Sequence, residues 1–192
     1  MADPQHQLLL RQQLVSVGRR MNDIGLNQGT SGNLSVRIEG GMLVTPSSLP
    51  YEQMQPNDLV ALDLKGQPLQ SGQRRPSSEW RLHADVLASR PEAMAVLHCH
   101  PIHATALACH DRGIPAFHYM VAVAGGDDIR CAPYATFGTA ELSTHVVTAL
   151  VQRHACLLAR NGLVTLGADL EAALQVAVEV ETLARMYLQA LQ

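Results

Sequence analysis

The segment Leu34-Ser-Val-Arg-Ile-Glu-Gly-Gly-Met-Leu-Val-Thr45 alternates in polarity over Leu34–Ile38, turns at Gly40-Gly41 and returns through Met42–Thr45. Two such runs joined by a glycine turn predict an antiparallel hairpin. A hairpin set among helices excludes a simple parallel, doubly wound sheet, because parallel neighbours need long crossovers. Working upstream, Asn27-Gln-Gly-Thr-Ser-Gly-Asn33 reads as a loop with two glycines and no large apolar residue. Before it, Leu8, Leu9, Val15, Val17 and Met21 keep roughly helical spacing over 6–24, and Gly25 supplies a C-terminal stop.

Downstream, Leu59–Leu64 is a further strand candidate, and Ser77-Ser78 can cap a helix over about 79–89. Ala93–Leu97 reads as a buried strand that ends in His98-Cys-His-Pro101. A helix over 102–110 is expected next, then strands near 117–124 and 129–133, with Met120, Val121 and Val123 in the core and Gly125–Asp128 as a turn. A helix over 139–152, a strand over 155–159 and a long helix from Asp169 towards Gln192 complete the pattern. The expected class is α/β, one layered domain over 1–192 with a substantially antiparallel sheet.

Composition narrows the function classes. The 192 residues are 47% hydrophobic and 16% charged, which is globular rather than disordered usage. Net charge is −3 and there is no Lys/Arg run, so no nucleic-acid partner is indicated. No apolar stretch reaches the roughly 20 residues of a membrane span, and the N-terminus lacks a secretory pattern. Cys99, Cys109, Cys131 and Cys156 form no C-x-x-C pair, so they read as reduced, mostly buried thiols of a cytoplasmic protein.

Several positions can carry chemistry. His98 and His100 lie two apart at a strand end, so both rings share a face and could bind zinc. Alone the signal is weak: 9 His in 192 residues give roughly 0.4 such pairs by chance. His103 follows Pro101 and reads as a helix-start or surface residue. Glu79 opens a helix, where an acid favours the dipole; a metal ligand or general base is the functional alternative. Ser77, Ser78 and the loop Gly29-Thr30-Ser31-Gly32-Asn33 offer hydroxyls and backbone N–H groups suited to a phosphate, and equally suit an ordinary cap and turn. Tyr119 could donate a proton or be a buried, hydrogen-bonded residue.

Taken together, six stretches resemble the class II aldolase and adducin superfamily over about residues 8–190. They are Gly25–Arg37, Thr45-Pro-Ser-Ser48, Pro76-Ser-Ser-Glu-Trp-Arg81, Val96-Leu-His-Cys-His100, Ile114-Pro-Ala-Phe-His-Tyr-Met120 and Cys131–Thr139. The resemblance implies a three-layer α/β/α sandwich around a mostly antiparallel sheet, and a homotetramer with active sites between subunits. It implies one zinc per subunit on His98 and His100, and Glu79 as the catalytic acid/base that also stands among candidate metal ligands. Thr30, Gly32, Asn33, Ser77 and Ser78 match phosphate binders, with the Ser47-Ser48 turn where the family often has Thr-Gly. Tyr119 matches a tyrosine that protonates and shapes the aldehyde site. Asn161 stands where the family carries a third zinc histidine before a glycine, here Gly162. The implied reaction is reversible cleavage of a ketose 1-phosphate to dihydroxyacetone phosphate and a small aldehyde. A pentulose-phosphate 4-epimerase, a thiosugar-phosphate dehydratase and a non-catalytic adducin-like assembly protein are the alternatives the same resemblance allows.

Overall fold

A computed structural model describes residues 4–192. The elements run α1 (Pro4–Asp23), β1 (Asn33–Ile38), β2 (Gly41–Val44), β3 (Val60–Leu62), α2 (Trp80–Ser89), β4 (Ala95–Cys99) and α3 (Ile102–Cys109). They continue with β5 (Arg130–Ala132), α4 (Ala140–Ala149), β6 (Ala155–Leu158), β7 (Gly162–Gly167) and α5 (Leu170–Ala190), with short 3-10 turns at Pro56–Asp58 and Tyr119–Ala124. The strands form a seven-stranded sheet in the order β3-β2-β1-β4-β7-β6-β5.

The expected hairpin is β1–β2, with Ile38 opposite Gly41. The sheet is mixed: β5 pairs with β6 in parallel, while β1, β2, β3, β4, β6 and β7 meet their neighbours antiparallel apart from that edge. The parallel edge follows from α4, which carries the chain from the end of β5 back to the start of β6. Alternation along each strand splits the core in two. Leu34, Leu97, Cys99, Leu157 and Leu163 face α1, α3 and α5. Val44, Val96, Cys156, Leu158 and Val164 face α2 and α4. Helices on both sides of the sheet make the three layers.

Two segments differ from expectation. The apolar run at 117–124 is a 3-10 helix over Tyr119–Ala124, ended by Gly125 at φ 90°. A short apolar run does not distinguish strand from helix by periodicity; here Val121 and Ala124, three apart, are the buried residues, Met120 is part-buried against the core, and Val123 is only half-buried. The other is Gly162–Gly167, a fully hydrogen-bonded inner strand that the sequence reading passed over. In addition, Leu8 and Leu9 on α1 are 46% and 51% exposed, so the helix buries its C-terminal half more than its start.

Of the cysteines, Cys99 and Cys156 are buried, Cys131 is half-buried and Cys109 is exposed; all are free. No helix among the described residues is long and apolar enough to cross a membrane.

Candidate active site

The site forms where the α2 side of the sheet meets the ends of β1 and β4. Asn33 is paired with His98 in the β1–β4 register, and Ser35 with Val96. Antiparallel partners share a face, so Asn33, Ser35 and His98 point together toward α2. Against them α2 lays Glu79, its N-cap residue, and His83, one helical turn later. Ser77 braces this entry: its hydroxyl accepts the Glu79 N–H at 3.3 Å. The Glu79 carboxylate does not cap its own helix. It points inward, and Oε2 accepts a hydrogen bond from Asn33 Nδ2 at 2.8 Å.

Loop 27–33 is brought close to the sheet by glycine. Gly32 has φ 68°, and a Cβ there would lie 2.6 Å from the His98 carbonyl oxygen. Only a residue without a side chain fits both the left-handed backbone and that approach. Gly162 does the same on the other side, where a Cβ would meet the Cys99 carbonyl at 2.4 Å and the His100 ring at 2.7 Å.

His98 is fully buried. Its Nδ1 donates to the Leu163 carbonyl at 3.0 Å, which leaves the Nε2 lone pair free. That nitrogen lies 3.0 Å from His100 Nε2 and 3.4 Å from Glu79 Oε2. Burial, reinforced by His98, pushes the His100 pKa down to about 4, against the smaller opposing influence of Glu79 and the Asn161 amide, so the ring is neutral at pH 7. Burial also works against the Glu79 carboxylate, but His98, the Asn33 amide, His83 and His100 outweigh it and hold its pKa below the ordinary value. The other Glu79 oxygen, Oε1, is buried and has no hydrogen-bond partner.

This donor set suits a divalent metal. Two imidazoles on one tetrahedral ion at about 2.0–2.1 Å place their nitrogens about 3.3 Å apart, close to the spacing seen. Among the described residues no group of three or more His, Cys, Asp and Glu is arranged to hold an ion. His98 and His100 face one another through their Nε2 atoms, while Glu79 Oε2 is engaged by Asn33. Asn161 follows Arg160 at the β6–β7 turn and lines the cleft beside His100.

The cleft has a volume of about 630 Å³. Thr30, Gly32, Asn33, Ser47, Ser48, Ser77 and Ser78, the anticipated phosphate-binding residues, all line it. Arg160 is the one cation among the described lining residues. Two anticipated site residues do not line the cleft: His98 is fully buried, and Tyr119 stands 81% exposed, its ring 4.8 Å from that of His118. His103 is outside the site. It opens α3, where Glu181 of α5 accepts its backbone N–H at 3.0 Å and its Nδ1 proton at 2.6 Å.

Sequence reasoning did not single out His83, Ser35, Tyr134 or Phe137. The first two carried a signal: Ser35 is two after Asn33 on a strand, and His83 four after Glu79 on a helix, so each shares its neighbour's face. Tyr134 and Phe137 sit in an irregular stretch whose path only packing determines.

The family model for the class II aldolase and adducin N-terminal domain matches residues 12–188, and the chain belongs to that family. It is 52% identical over 189 residues to a 5-methylthioribulose-1-phosphate/5-deoxyribulose-1-phosphate aldolase of Rhodospirillum rubrum, covering 98% of this chain and 85% of that one. It is 50% identical over 182 residues to the L-fuculose phosphate aldolase of Escherichia coli K12, covering 95% and 84%. Among solved structures, an L-fuculose 1-phosphate aldolase superposes with a TM-score of 0.92 at 38% identity, covering 99% of this chain and 88% of that one.

Proposed function

We propose that the chain is a zinc-dependent aldolase that reversibly cleaves a ketose 1-phosphate into dihydroxyacetone phosphate and a small aldehyde. The observation that carries the reading is the meeting of two imidazole nitrogens, His98 Nε2 and His100 Nε2, 3.0 Å apart, with a partnerless carboxylate oxygen, Glu79 Oε1, beside one hydroxyl-rich cleft. The names of the Rhodospirillum rubrum relative and of the superposed aldolase share a ketose 1-phosphate and differ in the rest of the sugar.

In this reading Ser47, Ser48, Ser77, Ser78, Thr30 and the Gly32-Asn33 backbone hold the phosphate by neutral donors. His98 and His100 hold a divalent ion, which supplies Lewis-acid stabilisation of the negative charge developing on the ketose oxygens. Cleavage breaks the bond between the third and fourth carbons and leaves the electron pair on the triose phosphate. As the hydroxyl of the fourth carbon becomes the aldehyde its proton passes to the Glu79 carboxylate, and Oε1 delivers it to the third carbon; in the condensation direction Oε1 removes that proton and the aldehyde oxygen takes it up. Arg160, Tyr134 and Phe137 lie at the cleft mouth, where the departing aldehyde is released. Tyr119, exposed on its own chain, serves the cleft of a neighbouring copy in a homotetramer.

The test is release of dihydroxyacetone phosphate from fuculose 1-phosphate and from 5-deoxyribulose 1-phosphate, with and without added zinc. An epimerase or a dehydratase releases no triose phosphate, and an assembly protein changes neither sugar. Absence of triose phosphate from both sugars, with metal bound, overturns the aldolase reading.

A further inference from the structure

Behind Glu79 lies a line of four buried polar side chains. Ser35, Asn33, Glu79 and His83 are all at most 7% exposed, and Ser35 and His83 are wholly buried. Ser35 Oγ lies 2.8 Å from His83 Nδ1, His83 Nε2 contacts Asn33 Oδ1, and Asn33 Nδ2 reaches Glu79 Oε2 at 2.8 Å. No chemical step described above uses Ser35 or His83.

One proton arrangement satisfies the whole line. The ionised Glu79 carboxylate can only accept, so Asn33 must turn its NH₂ toward it. Asn33 Oδ1 then faces His83 and also can only accept, so His83 Nε2 must carry a proton. Burial first, then His98, pushes the His83 pKa down to about 3 against the smaller opposing pull of Glu79, so the ring is neutral and holds one proton. His83 Nδ1 is thereby an acceptor, and the Ser35 hydroxyl donates to it. The opposite tautomer would turn the amide round and set Asn33 Oδ1 against the carboxylate, losing a charge-assisted hydrogen bond. Desolvated this far, every partner lost is an unpaid polar group.

We infer that Ser35 and His83 are positioning residues: they clamp the Asn33 amide from behind, fix the Glu79 carboxylate by Oε2, and so aim the free Oε1 into the cleft. The inference rests on Glu79 as the proton-transfer group of the proposed reaction. Neither residue touches substrate. Their effect passes through Asn33 and Glu79, whose rotamers a free amide would leave unconstrained.

The test combines kinetics with a measurement on the resting protein. His83→Leu removes both hydrogen bonds and is expected to lower kcat about 10–100-fold, the usual cost of losing an orienting partner. His83→Gln, whose side-chain N–H can reach Asn33 Oδ1, recovers a substantial part. In a Glu79→Gln background His83→Leu costs less than about twofold more, because the two act as a unit. An equal loss in both backgrounds, with no recovery by Gln, assigns His83 to packing alone and overturns the inference. Nitrogen-15 spectra of histidine-labelled protein give the second arm: His83 is expected as the neutral Nε2–H form, unchanged from pH 5 to 9. An Nδ1–H form, or titration within that range, overturns the proton arrangement. If His83→Leu does not fold, the Gln variant and the spectra still decide. If the wild-type protein releases no triose phosphate, the aldolase reading fails while the spectra judge the clamp independently.

Discussion

Glu79→Gln separates chemistry from architecture. The side chain keeps its shape, and its amide oxygen can still accept the 2.8 Å hydrogen bond from Asn33. What is lost is the charge. A hydrogen bond to a charged group contributes about 1.5–3 kcal/mol and a neutral one about 0.5–1.5, so the variant is destabilised by about 1 kcal/mol. For a chain of 150–250 residues that is a fall in Tm of about 2–4 °C. Turnover responds on a different scale. Loss of a general acid/base costs about 10²–10⁴-fold, equivalent to about 2.7–5.5 kcal/mol in the barrier. The checks are a thermal melt and steady-state release of dihydroxyacetone phosphate, run at saturating metal. A variant that melts within a few degrees of wild type and turns over a hundredfold more slowly supports the assignment. Normal turnover refutes it and leaves Glu79 as the anchor of Asn33. A Tm loss of tens of degrees would refute the local accounting instead.

Four further outcomes follow from the geometry. His98→Ala removes the nitrogen that His100 faces at 3.0 Å, so metal content by atomic absorption and activity should fall together; unchanged metal content places the ion elsewhere. Ser78→Ala, at an exposed cleft residue, should raise KM more than it lowers kcat, and a sulfate soaked into crystals should lie beside it; an anion found elsewhere with kinetics unchanged refutes the cradle. Asn161→His, beside His100 and before Gly162, should tighten zinc at least about tenfold in chelator competition, since a catalytic zinc usually has three protein ligands; equal affinity means the third ligand lies on another residue. Gly32→Ala should cost about 1–3 kcal/mol for the left-handed backbone alone, and more for its 2.6 Å approach to the His98 carbonyl, read as a lowered denaturation midpoint; an unchanged midpoint would mean loop 27–33 is not pinned to β4.

Much of the architecture was legible because local rules decide it. Polarity alternation and Gly40-Gly41 define the β1–β2 hairpin, and Asp169, whose carboxylate accepts the Ala172 N–H at 2.7 Å, marks the start of α5. The legible elements are those where chain-neighbour chemistry and burial agree. The run at Tyr119–Ala124 was not legible as a helix because two spaced buried residues, rather than a face, anchor it. Strand β7 was missed because its Gly162 and Gly167 look like loop residues; each glycine is there for close backbone approach, which is a tertiary requirement.

By itself the sequence determined the residue types available for chemistry: two histidines on one strand face, an acid at a helix entry, and serines and glycines around them. Their periodicity fixed which side chains share a face, since that depends only on backbone geometry. Which face meets which was decided by the fold. The β1–β4 register sets Asn33 beside His98, and the packing of α2 on that face sets Glu79 and His83 against both. Tertiary structure alone left Glu79 Oε1 without a partner and Tyr119 outside its own cleft, because both follow from contacts between elements distant in the chain.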